Sequence, residues 1–128
     1  MNPKYVLDSS AWVEYLIGSP KGHLVKGIIE GEPISCSVIM LAELADTFAG
    51  EQQPFETHLA FIKTKSLLLI VDEKTALLAS QVKRTFRPKK PTFSLADGIH
   101  LATAILQHAT LVTCDSDFEG GDNVLFLK

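Results

Sequence analysis

Four acidic residues occupy positions from which their carboxylates can act together on a metal ion. Asp8 follows the run KYVL, Glu43 lies in VIMLAELA, Asp97 lies in FSLADGIHLATAIL, and Asp115 follows TLVT. Two carboxylates about 4 Å apart repel by roughly 1 kcal/mol in water and by about four times as much at an effective dielectric of 20. A cluster of four therefore needs a cation, and oxygen ligands favour Mg²⁺ or Mn²⁺ over Zn²⁺.

Most of these acids also have a purely structural explanation. Ser94 and Asp97 fit an S-x-x-D capping box at a helix N-terminus. Asp8 could form a turn at a strand end, and Asp115 and Asp117 in CDSDF could form Asx turns. Taken alone, the cap is the better explanation of Asp97.

Glu43 is harder to explain structurally, because it is the only charged residue in VIMLAELA. A glutamate is rarely buried without a partner, and a buried unpaired carboxylate costs several kcal/mol or becomes neutral. The alternative is a narrow exposed stripe on the helix that also includes Asp46.

The histidines and cysteines indicate neither a zinc site nor a disulfide framework. His100 lies on an apolar helix, where a histidine is more often a core residue than a ligand. Cys36 and Cys114 are isolated in apolar stretches without a CxxC motif, which favours buried, reduced thiols. No HxH or HExxH pairing occurs among His23, His58, His100 and His108.

The elements that must position the acids are short β-rich runs alternating with segments of helical period. Strands are predicted at 4–7, 34–37, 67–71, 110–113 and 124–127. Helices are predicted from Ser9 or Ser10 (as cap) to 17, and at about 21–30, 38–48, 55–64, 73–86 and 94–108. The run at 67–71 is typical of a strand buried on both faces. The prolines of RPKKPT predict a loop there.

This alternation predicts an α/β fold: a three-layer α/β/α sandwich with a mostly parallel central sheet, forming one domain over residues 1–128. In such a sheet the carboxyl ends of the strands and the N-termini of the helices share one edge, where ligands bind. Asp8, Glu43, Asp97 and Asp115 all map to that edge.

Charge is distributed unevenly along the chain. The net charge of −3 argues against a protein that coats nucleic acid by charge alone. The segment KRTFRPKK (83–90), called the basic segment below, nevertheless holds five of the twelve basic residues, Lys83, Arg84, Arg87, Lys89 and Lys90. No signal peptide or membrane span is recognisable, which predicts a cytoplasmic protein without membrane association.

Four segments in order give the chain a resemblance to a known family. VLDSSAWVEYL, SVIMLAELADTF, SLADGIHLATAI and LVTCDSDF resemble a PIN-domain ribonuclease, in particular the VapC-type toxin of a prokaryotic toxin–antitoxin pair. The resemblance spans essentially the whole chain and implies a PIN-like fold and a Mg²⁺- or Mn²⁺-dependent endoribonuclease that hydrolyses single-stranded RNA.

The resemblance also implies roles for individual residues. The family's catalytic and metal-binding acids fall on Asp8, Glu43, Asp97 and Asp115, with Asp117 as an additional metal contact. Supporting hydroxyls fall on Ser9, Ser10 and Thr113, each of which also has a structural explanation as a helix cap or a strand residue. The basic segment is the natural candidate for binding RNA, because an acidic pocket cannot hold phosphates itself.

The resemblance implies two protein partners as well. One is a small antitoxin, and the other is a second copy of the chain in a homodimer. Trp12 and Tyr15 could contribute to such an interface, although core packing explains both equally well.

Other classes fit less well. An aspartyl-nucleophile phosphatase needs a second Asp where Ser10 stands, a receiver domain needs an acidic pair at the end of the first strand, and no glycine-rich phosphate loop is present. Two alternatives remain: a non-catalytic PIN-like module that binds RNA or a partner, and an RNA-processing nuclease without an antitoxin.

Overall fold

The computed structural model describes residues 2–128, which form five strands and six helices. The strands are β1 (Tyr5–Leu7), β2 (Ile34–Ser37), β3 (Ser66–Leu69), β4 (Thr110–Thr113) and β5 (Val124–Phe126). The helices are α1 (Ser9–Ile17), α2 (Pro20–Gly31), α3 (Val38–Gly50), α4 (Glu56–Lys65), α5 (Glu73–Phe86) and α6 (Leu95–Leu106). A 3₁₀ turn spans Ser116–Phe118.

All strand pairs are parallel, and the strand order is β3-β2-β1-β4-β5. In the register of the central pair, Val6 lies opposite Leu111 and Leu7 opposite Val112. The chain leaves β1 towards β2 on one side and returns to β4 on the other. The carboxyl ends of β1 and β4 therefore form the topological switch point, where open parallel sheets bind ligands.

Two apolar clusters cover the opposite faces of the sheet. Successive strand residues point to opposite faces, so Leu7 packs with Trp12 beneath the early helices, while Val6 packs with Phe93 and Leu101 beneath α5 and α6. The predicted three-layer α/β/α arrangement is confirmed. Because Trp12 is fully buried, it is a core residue rather than an exposed dimer contact.

Two predictions about the elements were wrong. The strand predicted at 67–71 ends at Leu69 and forms an edge of the sheet, with Leu67 53% exposed and Ile70 77% exposed, so it is not buried on both faces. An apolar run does not by itself distinguish an edge strand from a central one. The cap of α1 is Asp8 rather than Ser9 or Ser10, since the Asp8 carboxylate accepts the backbone N–H of Ala11.

The remaining boundaries agree within a few residues. Pro20 is the first residue of α2, where its missing N–H costs nothing. Cys36 is buried as predicted, whereas Cys114 is only partly buried. Within residues 2–128, no helix combines the length and the apolar composition needed to cross a membrane.

Candidate metal centre

Three carboxylates meet beside the carboxyl end of β4. Asp97 lies in the first turn of α6, and Asp115 and Asp117 lie in the loop after β4. One oxygen from each lies within 4.8 Å of the others. Oxygens bound to one octahedral Mg²⁺ are about 3.0 Å apart when adjacent and about 4.2 Å apart when opposite, since each bond is about 2.1 Å, so direct binding by all three would draw them closer together.

Asp97 has both of the roles considered from the sequence. Its carboxylate accepts the backbone N–H of Ser94 at 2.9 Å, while the Ser94 hydroxyl accepts the N–H of Asp97 at 3.0 Å, which completes a capping box. Burial raises the pKa of Asp97, and the nearby Asp115 charge raises it further, against the lowering effect of the Ser94 hydrogen bonds and His100. The cap therefore explains the position of Asp97 but does not relieve its repulsion with Asp115.

The loop that carries the other two acids is held by short polar contacts. The Asp115 carboxylate accepts the N–H of Asp117 at 2.9 Å, forming the predicted Asx turn. The Thr92 hydroxyl donates to the Asp117 carboxylate at 2.6 Å. Thr113 accepts the N–H of Asp115 at 3.0 Å, so β4 fixes the start of the loop. These contacts aim two carboxylates at the N-terminus of α6.

Asp8 lies behind this cluster, almost fully buried, in a network that joins β1 to β4. Its carboxylate accepts hydrogen bonds from Ser10 at 2.7 Å, from the N–H of Ala11 at 3.0 Å and from Thr113 at 2.6 Å. Ser10 also accepts the N–H of Cys114 at 2.9 Å. Burial raises the pKa of Asp8, and these hydrogen bonds only partly offset it. A carboxylate has about four lone-pair sites, so roughly one remains for a further ligand.

Glu43 is partnered by a histidine. Its carboxylate lies 2.5 Å from Nε2 of His100, a side chain that is 1% exposed, whereas Glu43 itself is 32% exposed. Burial acts to raise the pKa of Glu43, but the hydrogen bond and positive charge of His100, with a smaller effect of Ser9, outweigh it and lower the pKa. Asp46 is exposed on α3, as the alternative of an exposed stripe expected, but Glu43 is only partly exposed and its carboxylate bonds to His100 of α6.

His100 is the site residue that the sequence interpretation missed. It is buried, as expected of a core histidine, but its ring bonds to Glu43 and its charge also acts on Asp8 and Asp97. The sequence did contain a signal for this role. His100 is three residues after Asp97, and residues three apart on a helix share a face, so the two side chains had to point the same way.

Of the five predicted metal-binding acids, the structure brings three together in one cluster, and the other two have partners of their own. The oxygens of Asp97, Asp115 and Asp117 lie close enough together to hold one metal ion. Asp8 and Glu43 are not members of that cluster. Those two acids share His100 as a neighbour with Asp97.

The basic segment runs from the last turn of α5 into the loop before α6, with Arg84, Arg87 and Lys89 exposed. Its far end touches the acidic loop, since the Lys90 ammonium donates to the Ser116 carbonyl at 3.0 Å. Arg87 also has a structural bond, from Nε to the Phe93 carbonyl at 2.6 Å. The segment therefore brings the Lys90 ammonium to the loop that carries Asp115 and Asp117.

The donor set fits a hard divalent cation. All three carboxylates of the cluster offer oxygen, and within residues 2–128 none of them forms a salt bridge with a lysine, arginine or histidine. The raised pKa of Asp97, caused by burial and then by the Asp115 charge, indicates an arrangement that a cation would stabilise.

A parallel sheet with carboxylates at its switch point is the arrangement that the sequence resemblance implied. The PIN domain family matches residues 5–122, and the chain belongs to that family. No curated protein sequence matches the chain significantly.

Solved structures with a similar fold cover nearly the whole chain. A toxin–antitoxin complex from Klebsiella pneumoniae has a TM-score of 0.75 at 20% identity, over 97% of this chain and 98% of that one. VapBC2 from Rickettsia felis, bound to a DNA fragment from its promoter, has a TM-score of 0.72 at 20% identity, over 95% and 96%. Mycobacterium tuberculosis VapC20, a sarcin–ricin loop cleaving toxin, has a TM-score of 0.66 at 15% identity, over 93% and 92%. At these identities the similarity establishes the fold.

Proposed function

We propose that this protein is a metal-dependent endoribonuclease of the VapC type, which hydrolyses single-stranded RNA and is inhibited by a small antitoxin protein. The observation that carries the proposal is the cluster of Asp97, Asp115 and Asp117 at the switch point of a PIN fold, which forms no salt bridge with a basic side chain of residues 2–128. The toxin role is supported by the similar structures, which include toxin–antitoxin complexes and a sarcin–ricin loop cleaving toxin.

In this proposal the three clustered aspartates hold Mg²⁺ or Mn²⁺, and Asp8 and Glu43 complete the acidic site from its β1 and α3 sides. The bound metal would orient and activate a water and offset charge developing on the scissile phosphate. The remaining work falls to the protein. Thr113 and Ser10 tie the ends of β1 and β4 together, so the carboxylates keep a fixed spacing.

RNA binding is assigned to the basic segment, because phosphates need positive charge outside the acidic pocket. The contact of Lys90 with the Ser116 carbonyl places the segment within one residue of both Asp115 and Asp117. A single strand of RNA that lies along Arg84 and Lys89 would then pass the carboxylates of the acidic cluster. A homodimer would supply a second such surface.

The test is metal-dependent cleavage by the purified full chain. Single-stranded RNA should be cut when Mg²⁺ or Mn²⁺ is added to the metal-free protein, and cutting should stop when a chelator is present in excess. Cleavage that is undiminished by the chelator would contradict the metal mechanism. RNA binding without cleavage at any metal concentration would identify the chain as a non-catalytic binding module instead.

Neutralising the basic segment should weaken RNA binding and flatten its salt dependence. Arg84→Gln with Lys89→Gln removes two exposed charges and spares Arg87, whose guanidinium also holds the Phe93 carbonyl. Each phosphate that the protein no longer neutralises should reduce the slope of log affinity against log salt by about 0.7 for single strands. The measurement is fluorescence anisotropy of labelled RNA across a salt series.

The matched control for this pair is Lys63→Gln with Lys65→Gln, which removes the same charge from exposed positions of α4. The control should leave the salt slope near that of the parent. If both pairs change the slope equally, RNA responds to net charge alone and the basic segment is ordinary solvated surface.

A further inference from the structure

The contact between Glu43 and His100 joins a flexible acid to a rigid ring. Glu43 is 32% exposed, and a long glutamate side chain has several rotamers to lose when it is fixed. His100 belongs to α6 and its side chain is 1% exposed, so its ring has little freedom. Since Glu43 is an acceptor when ionised, Nε2 is the donor of this hydrogen bond in either charge state of the ring.

The other ring nitrogen shows that His100 is not explained by packing. Nδ1 is buried and has no hydrogen-bond partner within residues 2–128. A buried polar atom without a partner costs free energy, so an apolar side chain would serve a packing role better. Among the described residues, the one polar contact of the ring is the bond from Nε2 to Glu43.

We propose that His100 is a positioning residue for the metal centre: its Nε2–H fixes the Glu43 carboxylate in the direction from which it binds the metal. This inference rests on the proposed function, because it assigns Glu43 to the metal. Through Asp97 and His100, α6 then supplies one carboxylate directly and orients a second one that belongs to α3. Outer partners that orient ligands contribute about 10- to 100-fold to metal affinity.

Two variants separate the hydrogen bond from the space that the ring fills. His100→Gln and His100→Met are both unbranched and have similar helix propensity, but only the glutamine can donate to Glu43. We expect His100→Met to raise the Kd for Mn²⁺ by about 10- to 100-fold. His100→Gln should stay closer to the parent than to His100→Met.

The readout is Mn²⁺ binding to the metal-free full chain, measured by electron paramagnetic resonance of the free ion, with urea unfolding as a check of the fold. RNA cleavage at saturating Mn²⁺ is followed in parallel. Loss of affinity in a folded variant, with cleavage largely recovered at high Mn²⁺, is a result that a merely structural role does not produce. If His100→Met does not fold, His100→Phe replaces it, because it keeps a ring and lacks Nε2.

A double-mutant cycle tests whether the effect passes through Glu43. In the Glu43→Gln background, His100→Met should change Mn²⁺ affinity much less than it does in the parent, because the carboxylate it positions is gone. An equal effect in both backgrounds would mean that His100 supports α6 and Asp97 instead, and would overturn the inference.

The remaining outcomes distinguish this inference from the proposed function. If the parent binds Mn²⁺ and cuts RNA, but His100→Met binds Mn²⁺ equally well, the inference fails and the function stands. Equally weak binding by His100→Gln and His100→Met also overturns it. If the parent does not bind Mn²⁺ at all, the proposed function fails and the inference fails with it.

Discussion

Asp97→Asn should reduce metal-dependent RNA cleavage by at least about 100-fold while leaving the protein folded, because it removes a charged ligand and retains the helix cap. The asparagine amide oxygen can still accept the N–H of Ser94, and the Ser94 hydroxyl bond to the backbone at position 97 is unaffected. The measurement is the initial rate of RNA cleavage at several Mn²⁺ concentrations, together with circular dichroism of both proteins.

The control is an identical change at another helix cap. Asp72 caps α5 through the N–H of Thr75, and it lies beside Leu106 and Gln107 at the opposite end of α6 from Asp97. Asp72→Asn should leave cleavage unchanged. If Asp97→Asn retains full activity at low Mn²⁺, the capping box is a sufficient explanation of Asp97 and the proposed nuclease site loses its main support.

The same variant should change how stability depends on pH in the metal-free protein. Burial, followed by the Asp115 charge, raises the pKa of Asp97 above its ordinary value of 3.8. The folded protein therefore holds this proton more tightly than the unfolded chain, so the contribution of Asp97 to stability falls as pH rises from about 3.8 through the raised pKa. Asp97→Asn lacks that titration.

We therefore compare the free energy of unfolding of the parent with that of Asp97→Asn at two pH values. The parent minus variant difference should be more favourable to the parent near pH 4 than at about pH 7. Added Mn²⁺ should stabilise the parent at the higher pH much more than the variant, because binding to the folded state alone shifts unfolding by mass action. Urea unfolding at both pH values, with and without Mn²⁺, measures both effects. If the stability difference between the two proteins does not change with pH, the Asp97 carboxylate is not destabilised in the metal-free fold, and the prediction is wrong.

Much of the site could be predicted because it follows from chain direction. Asp8 and Asp115 directly follow strands, and Asp97 begins a helix, so a parallel sheet was bound to bring them to one edge. Those inferences needed only the alternation of strands and helices. Asp117 was expected only from the family resemblance, and the structure groups it with Asp97 and Asp115, because it lies in the turn at 116–118.

The Glu43 contact could not be predicted in the same way, because it depends on the packing of α3 against α6. The sequence showed that Glu43 needed a partner, and the expected partner was the metal together with the other acids. A helix at a known edge can still turn its side chains in several directions. Only the packed structure shows that Glu43 meets His100. The edge position of β3 was missed for a related reason, since strand order is a property of the whole chain.

The position of α6 also depends on Gly98, next to Asp97, where α6 packs closely against α5. A Cβ placed at Gly98 would lie 2.5 Å from the Ala79 carbonyl oxygen, which is closer than side-chain carbons approach backbone atoms. Because the opposing atom belongs to the backbone of α5, no rotamer change can relieve the overlap. Only a displacement of one helix from the other would make room.

Gly98→Ala should therefore destabilise the protein, with an overpacking cost near the upper end of about 1–3 kcal/mol. The gain in helix propensity from glycine to alanine, about 1 kcal/mol, offsets only part of it. The displacement also moves Asp97 and His100, so Mn²⁺ affinity should fall together with stability. Urea unfolding of the metal-free protein and Mn²⁺ titration measure the two effects.

The matched control for Gly98→Ala is Gly27→Ala in α2, an exposed helical glycine with open space around its missing Cβ. At Gly27 the substitution changes only the helix propensity. The free energy of unfolding should therefore rise by up to about 1 kcal/mol, and Mn²⁺ affinity should not change. The same substitution thus has opposite signs at the two sites, because one glycine permits a helix crossing and the other does not. A stabilising Gly98→Ala would mean that α5 and α6 have room to separate without cost, and that the position of α6 does not fix the acidic site.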